Sequence, residues 1–328
     1  MGRAATAQAN PLAGTHPAAA PSNGDRAPPA PAGPATRRLA RQLGVDLHAV
    51  SGSGRGGRIT GEDVQEFVRG VLSGTSQAGG GAVEPPLPDF SKWGEIERQP
   101  LSGIRRKTAE NMAVAWQTIP HVTQFDSADI TQLEAARKAY QSRAQSDTGA
   151  GKVTVTVLAI KACLVALREM PQFNSSLDLR ASELIIKKHY DIGMAVDTEH
   201  GLLVPVVRDV DKKTISEIAN ELQDLATRAR ARKVGIDEMQ GGTFTITNLG
   251  GIGGTGFTPI VNYPQVAILG MARAKQEYVV VDGQPEVRLL LPLSLSYDHR
   301  VVDGANGARF LRRIATLLSE PFQLLLGL

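Results

Sequence analysis

Ser296-Tyr297-Asp298-His299-Arg300-Val301-Val302-Asp303-Gly304 is where an apolar strand pattern, Glu286–Ser296, ends and a helix begins. His299 stands in the turn, Asp303 follows four residues on, and Gly304 permits a close approach of the backbone. Taken alone, the stretch reads either as a charged strand-to-helix turn or as the seat of a catalytic imidazole. The remaining histidines, His16, His48, His121, His189 and His200, have no partner at ligand spacing, so polar or packing roles are expected of them and no metal site.

Working outward, helical periodicity covers Lys107–Trp116, Thr131–Ser142, Val155–Met170 and Ser216–Arg230. Strand patterns alternate with these at Val122–Asp126, Glu183–Val196, Leu202–Val207, Thr243–Thr247 and Gln265–Met271. The alternation predicts an α/β unit with a mixed, partly antiparallel sheet over residues 97–328.

Upstream the composition changes. Residues 1–35 are Ala, Pro, Gly, Ser and Asn with almost no large apolar side chains, and read as a disordered linker. Residues 36–69 hold two short helical patterns, the first at Arg37–Leu43, around the glycine-rich run Ser51–Arg58. Thr60 is an N-cap candidate with Asp63 at the capping-box position. Such a module, about 35 residues long, lies below the usual size limit for independent folding. Residues 70–96 form a second flexible linker rich in Gly, Ser and Pro.

Lys and Arg number 36 against 33 Asp and Glu, a formal +3, and aromatics are 5%, so neither a nucleic-acid groove nor a stacking platform is expected. No run of about 18 apolar residues occurs and no secretory h-region opens the chain, so no membrane span is expected and the cytoplasm is the default compartment. The one cysteine, Cys163, sits in the apolar helix pattern Val153–Met170 and is expected to be a core thiol. Gly52/Gly54/Gly57 and Gly251/Gly253/Gly256 match a dinucleotide fingerprint in spacing only. The first follows no strand, and after the second Pro259 and Pro264 forbid the helix that would receive a pyrophosphate.

Asp298-His299-Arg300-Val301-Val302-Asp303-Gly304 resembles the His-x-x-x-Asp-Gly signature of chloramphenicol acetyltransferases and dihydrolipoamide acyltransferases, and its Asp-His-Arg start is similar to the latter. The resemblance extends through Leu101–Lys107, Pro120–Asp126, Phe173–Leu177, Gly201–Arg208, Phe244–Gly250 and Thr258–Asn262, and covers roughly residue 97 to the end. It implies a chloramphenicol acetyltransferase-like catalytic domain. Residues 36–69 resemble the peripheral subunit-binding domain of the same polypeptides, which docks dihydrolipoamide dehydrogenase or the 2-oxo acid decarboxylase. Arg37, Arg38, Arg55 and Arg58 are the expected docking cations, with Arg37 and Arg58 the best match to the family's contact residues.

The family resemblance further implies transfer of an acyl group from dihydrolipoamide to coenzyme A. His299 would be the base and Thr247, where many relatives carry Ser, the oxyanion donor. Asp303, which is Asn in some relatives, would have a structural or supporting role. In the family the histidine of one subunit faces the hydroxyl of its neighbour in a homotrimer, and C-terminal segments such as Pro321–Leu328 join trimers into a cage. Acetyl is the expected acyl group, because Val122–Asp126, Phe173–Leu177 and Leu249–Thr255 look like the acetyltransferases of pyruvate dehydrogenase complexes. Succinyl or branched-chain transfer, a non-catalytic dehydrogenase-binding scaffold and a free-standing acetyltransferase are the alternatives. No Asp-Lys-Ala element of a lipoyl domain is present, so the lipoyl group is expected on a separate domain or chain.

Overall fold

The computed structural model describes residues 30–72, 86–144, 151–199 and 201–326. His16, His200, Leu328 and most of both linkers lie outside the described residues. The chain divides into two compact units, Met1–Ile96 and Glu97–Leu328.

In the first unit, α1 (Pro34–Gln42) opens with proline, whose missing N–H costs nothing in a first helical turn, and ends before Gly44 at φ 67°. A single 3-10 turn, Leu47–Ala49, leads into the glycine-rich run, and α2 (Gly61–Leu72) follows. The capping box is present: Asp63 Oδ2 accepts from Thr60 N at 2.8 Å, and Thr60 Oγ1 accepts from Asp63 N at 3.3 Å. The same carboxylate accepts from Ser53 N and Oγ at 3.0 and 2.6 Å, tying the run to the helix. Gly52 is required there, because a Cβ would lie 2.4 Å from Gly57 O. Ala30, Ala40, Val50, Ile59 and Val64 make the small core. This corrects the expected boundary at residue 36. Ala30 is buried, Ile59 N donates to Pro31 O at 2.7 Å, and Arg37 donates to Ala32 O and Ala30 O at 3.0 and 2.7 Å. Residues 30–35 are held by their backbone carbonyls, which composition does not reveal.

The second unit runs α3 (Gly103–Thr118), β1 (His121–Asp129), α4 (Thr131–Ala144), α5 (Val155–Glu169), β2 (Ser175–Asp178), β3 (Glu183–Ile186), β4 (Ile192–Thr198), β5 (Gly201–Leu203) and β6 (Val206–Val207). Then come α6 (Ile215–Arg230), β7 (Phe244–Asn248), β8 (Ala267–Met271), β9 (Lys275–Val281), β10 (Gln284–Asp298), α7 (Gly304–Ser319) and α8 (Pro321–Leu326). The main sheet has the order β1-β10-β8-β7-β4-β5, with β6 on β4 and β9 on β10. β7 is parallel to both β4 and β8, and the remaining pairs are antiparallel. The mixed sheet expected from the sequence is therefore found.

One face of this sheet carries the core. Ile246, Leu269, Leu295 and Tyr297 point into it, and α5 and α7 cover them. Val157–Leu167 of α5 is buried without interruption, Cys163 included, and burial pushes that thiol's pKa up. α7 buries Gly307, Phe310, Leu311, Ile314, Ala315, Leu317 and Leu318, the stripe of an amphipathic helix. Phe310 stacks on Phe173 with ring centroids 3.9 Å apart.

Two strand expectations break where the backbone finds other partners. Glu183–Val196 splits because Asn174 Nδ2 captures Lys187 O and His189 O, leaving β3 paired with β2 in a separate two-stranded sheet. Leu202–Val207 is interrupted at Pro205, which has no N–H for a ladder. The β9–β10 hairpin was not anticipated, although Asp282-Gly283, at φ 49° and 78°, is the residue pair that a type I′ turn demands.

Candidate active site

Side chains alternate across a sheet, so the face away from the helices carries every second residue. Thr247 pairs with Gly270, Gly270 with Ser294 and Ser294 with Phe125, making one row across β7, β8, β10 and β1. Thr245, Ile268, Ser296 and Thr123 make the next. Four of these eight positions bear hydroxyls on the inner strands, where an apolar core would hold none. Thr123 Oγ1 and Ser296 Oγ are 2.7 Å apart, and Thr245 Oγ1 donates to Gln265 Oε1 at 2.7 Å. Thr247 is 9% exposed, and its hydroxyl has no hydrogen-bond partner among the described residues. Beside it the Phe257 ring covers Gly270, where a Cβ would lie 2.8 Å from the ring.

His299 follows the end of β10. Its N–H donates to Pro120 O at 3.1 Å, while the imidazole is exposed and unpartnered among the described residues. The turn is built by its neighbours. Asp298, 3% exposed, accepts from Arg300 N at 3.0 Å and grips the guanidinium through Nε at 2.9 and 3.2 Å and Nη2 at 2.6 Å. Its carbonyl accepts from Val301 N and Val302 N. This ion pair holds the Arg300 pKa up, chiefly through the hydrogen bonds that the guanidinium donates to Asp298.

Asp303 is the N-cap of α7: Oδ1 accepts from Asn306 N at 2.7 Å and Oδ2 from Asn306 Nδ2 at 3.1 Å. The buried Tyr297 has its ring 6.0 Å from that of His299, and its hydroxyl accepts from Gln124 Nε2 at 3.4 Å. Burial first, then the charge of Asp303, raise the phenol's pKa against that hydrogen bond. Gln124 also donates to Gly304 O at 2.7 Å, tying β1 to the start of α7. His299 and Asp303 therefore share one turn.

Thr247 does not join them within this chain. Ser294, level with Thr247 in the sheet, precedes His299 by five residues and is two strands away. That places the pair about 17 Å apart along the strand and about 10 Å across it, or about 19 Å in all.

Sequence reasoning gave His121 an ordinary polar role, and the structure makes it a linchpin. Val261 N donates to Nε2 at 3.0 Å, so the ring proton is on Nδ1, which donates to Ile119 O at 2.8 Å. Trp116 stacks on the ring at 5.5 Å. The Asp298–Arg300 pairing was missed too, although its spacing of two around a turn was visible. Of the candidate docking cations, Arg37 is half-buried with its guanidinium engaged on Ala30 and Ala32, whereas Arg38, Arg55 and Arg58 are exposed without partners among the described residues. Among the described residues no group of three or more His, Cys, Asp or Glu is placed to hold a metal ion, and no helix is long and apolar enough to cross a membrane.

The family model of the 2-oxoacid dehydrogenases acyltransferase (catalytic domain) matches residues 94–326, and the chain belongs to that family. The e3 binding domain matches residues 30–65. More particularly, the chain is 51% identical over 302 residues to the dihydrolipoyllysine-residue acetyltransferase component of pyruvate dehydrogenase complex of Pseudomonas aeruginosa, covering 90% of this chain and 55% of the relative. The component from Azotobacter vinelandii is 48% identical over 303 residues, covering 90% and 47%. The chain thus spans about half the length of the curated relatives it matches. Two solved structures, the Azotobacter vinelandii dihydrolipoamide acetyltransferase and the cubic core of a pyruvate dehydrogenase multienzyme complex, each match with a TM-score of 0.70 at 51% identity, over 74% of this chain and 100% of theirs. The former comes from work on the role of a serine, a histidine and an asparagine in that enzyme's catalytic mechanism.

Proposed function

We propose that this chain is the acetyltransferase core of a pyruvate dehydrogenase complex, moving acetyl from dihydrolipoamide to coenzyme A. One observation carries the site assignment. In the Azotobacter enzyme the histidine follows the serine by 52 positions and the asparagine follows the histidine by four. Thr247, His299 and Asp303 stand at the same two spacings.

Each residue has a role its surroundings support. A free thiol has a pKa of about 8.5, so the unprotonated imidazole of His299 usefully takes the proton of the coenzyme A thiol as its sulfur attacks the acetyl carbonyl. The new C–S bond leaves negative charge on the carbonyl oxygen, and the unpartnered Thr247 hydroxyl donates to it. Collapse breaks the bond to the dihydrolipoamide sulfur, which leaves with the proton from His299. Asp303 holds the turn as an N-cap and moves no proton. The separation of about 19 Å along and across the sheet supports a reading in which His299 meets the Thr247 of another copy, in a homotrimer whose channels lie at subunit interfaces.

Residues 30–65 are proposed to dock dihydrolipoamide dehydrogenase or the decarboxylase, with Arg38 and Arg58 presenting the charge and Arg37 holding the unit's own fold. The lipoyl group would arrive on a separate domain or chain. The proposed compartment is the cytoplasm, where thiol substrates stay reduced. Acetyl transfer from acetyl-dihydrolipoamide to coenzyme A, measured beside capture of dihydrolipoamide dehydrogenase, tests the reading. Docking without transfer would leave only a scaffold, and transfer without docking a free-standing acetyltransferase.

A further inference from the structure

β7 and β8 are parallel neighbours, so they leave the sheet at the same edge. The segment leaving β7, directly after Thr247, is Asn248-Leu249-Gly250-Gly251-Ile252-Gly253-Gly254-Thr255-Gly256. Glycine loses more conformational freedom on ordering than any other residue, and this loop has five. Packing reaches only its ends: a Cβ at Gly250 would lie 3.3 Å from Ala272 O and one at Gly256 3.7 Å from the Phe125 ring, whereas at Gly251, Gly253 or Gly254 it would meet nothing within 4 Å. Hydrogen bonds hold the loop. Ile252 N and Gly253 N both donate to Leu249 O at 2.9 Å, and Leu249 N donates to Met271 O at 2.9 Å. Asn248 Oδ1 accepts from Gly250 N at 2.7 Å while its Nδ2 reaches Thr156 Oγ1 at 2.9 Å.

Three carbonyls of the loop then converge on one side chain. Arg273, two residues beyond β8, donates through Nε to Gly250 O at 3.1 Å and through Nη2 to Gly251 O and Ile252 O, both at 3.2 Å. Three donors fixed in one plane suit three carbonyls in succession, which the single point charge of lysine cannot match. Resting on the proposed function, we propose that Arg273 is a positioning residue for acyl transfer: it clamps the glycine loop that leaves Thr247 and so fixes the direction of the Thr247 hydroxyl. Among the described residues no partner holds that hydroxyl, so its aim depends on the backbone on either side. The clamp also sets where the loop returns to lay Phe257 on Gly270, beside Thr247.

The test uses the assembled chain and its R273A and R273K variants. Misplacement of a reacting group by about 1 Å costs up to about 100-fold, so R273A should lose about tenfold or more in kcat with the KM for coenzyme A within about twofold. R273K should fall between parent and R273A, and added guanidinium ion should restore part of the R273A rate without accelerating the parent. Amide exchange at Ile252 and Gly253 should quicken about tenfold or more in R273A, because both bonds lie inside the clamped loop. A kcat for R273A within about twofold of the parent overturns the proposal, as does unchanged exchange at those two amides. Should R273A fail to assemble, R273K carries the same two comparisons. A parent chain that transfers no acetyl group would refute the proposed function instead, and the exchange measurement would still decide the clamp.

Discussion

Thr247 lies in the sheet and His299 just past the end of β10, and the register sets them about 19 Å apart, two strands over and five residues along. A hydroxyl and an imidazole at that distance cannot serve one carbonyl. Mixing H299A and T247A chains, each inactive alone, should therefore restore activity, since an interface can draw its imidazole from one variant and its hydroxyl from the other. Random mixing in a trimer should recover about a quarter of the parent sites. No recovery after co-refolding would place both groups of a site on one chain.

In correctly assembled protein, His299→Ala should lower turnover at least about 100-fold, the scale of a lost general base. Thr247→Val keeps the shape and removes the donor, and should cost about 100- to 1,000-fold, whereas Thr247→Ser should remain within about tenfold of the parent. Steady-state kinetics on the three variants checks the assignment, and a near-normal H299A would sink it.

Asp303 caps α7 through two hydrogen bonds to Asn306. Asparagine caps nearly as well, so Asp303→Asn should leave both rate and melting temperature close to the parent. Asp303→Ala should cost about 1 kcal/mol, read as a lower melting temperature. A large rate loss in Asp303→Asn at unchanged stability would mean that the charge itself is needed.

The Asp63 carboxyl is held well below the usual aspartate range, first by the Ser53 hydroxyl and then by the backbone N–H groups of Thr60 and Ser53. A depressed folded pKa stabilises the first unit fully above the unfolded value, near pH 4, and that contribution fades as pH falls further. Asp63→Ala should therefore speed amide exchange in α2 at pH 7 and differ less from the parent below about pH 3. In the same unit Arg37→Ala should loosen the fold, while Arg38→Ala with Arg58→Ala should weaken dehydrogenase capture and flatten its salt dependence.

The end of the chain is divided between two roles. Leu324 is 2% exposed and belongs to the unit's own core, while Phe322, Leu325 and Leu326 are 72%, 63% and 73% exposed. A cavity of about 560 Å³ opens beside them, lined by Leu133, Tyr140, Val153 and Leu158. Leu324→Ala should cost about 2–5 kcal/mol of stability, so deletion from Leu324 onward confounds folding with assembly. Leu325→Asp with Leu326→Asp is the cleaner variant. It should leave a folded, active trimer that no longer forms a large particle in analytical ultracentrifugation, and a variant still sedimenting as the parent particle would refute a role in assembly.

Local chemistry was enough to read the elements and the candidate residues. Periodicity located α4, α5 and α6 to within a few residues, because each buries a face that must recur every three to four positions. Thr60 and Asp63 announced α2, and Asp298–Gly304 announced the turn before α7, since caps and turns are made by neighbours in sequence. What neighbours in sequence do not make could not be read. Residues 30–35 are ordered by an arginine farther along, the break before β4 by Asn174, and the glycine loop by Arg273 from another strand's end. The distance between Thr247 and His299 was equally hidden, because strand order and register are settled only when the whole sheet assembles. Sequence alone thus named the candidate groups for this protein's chemistry. Tertiary structure decided which of them meet, because contacts between distant residues depend on how every intervening element packs.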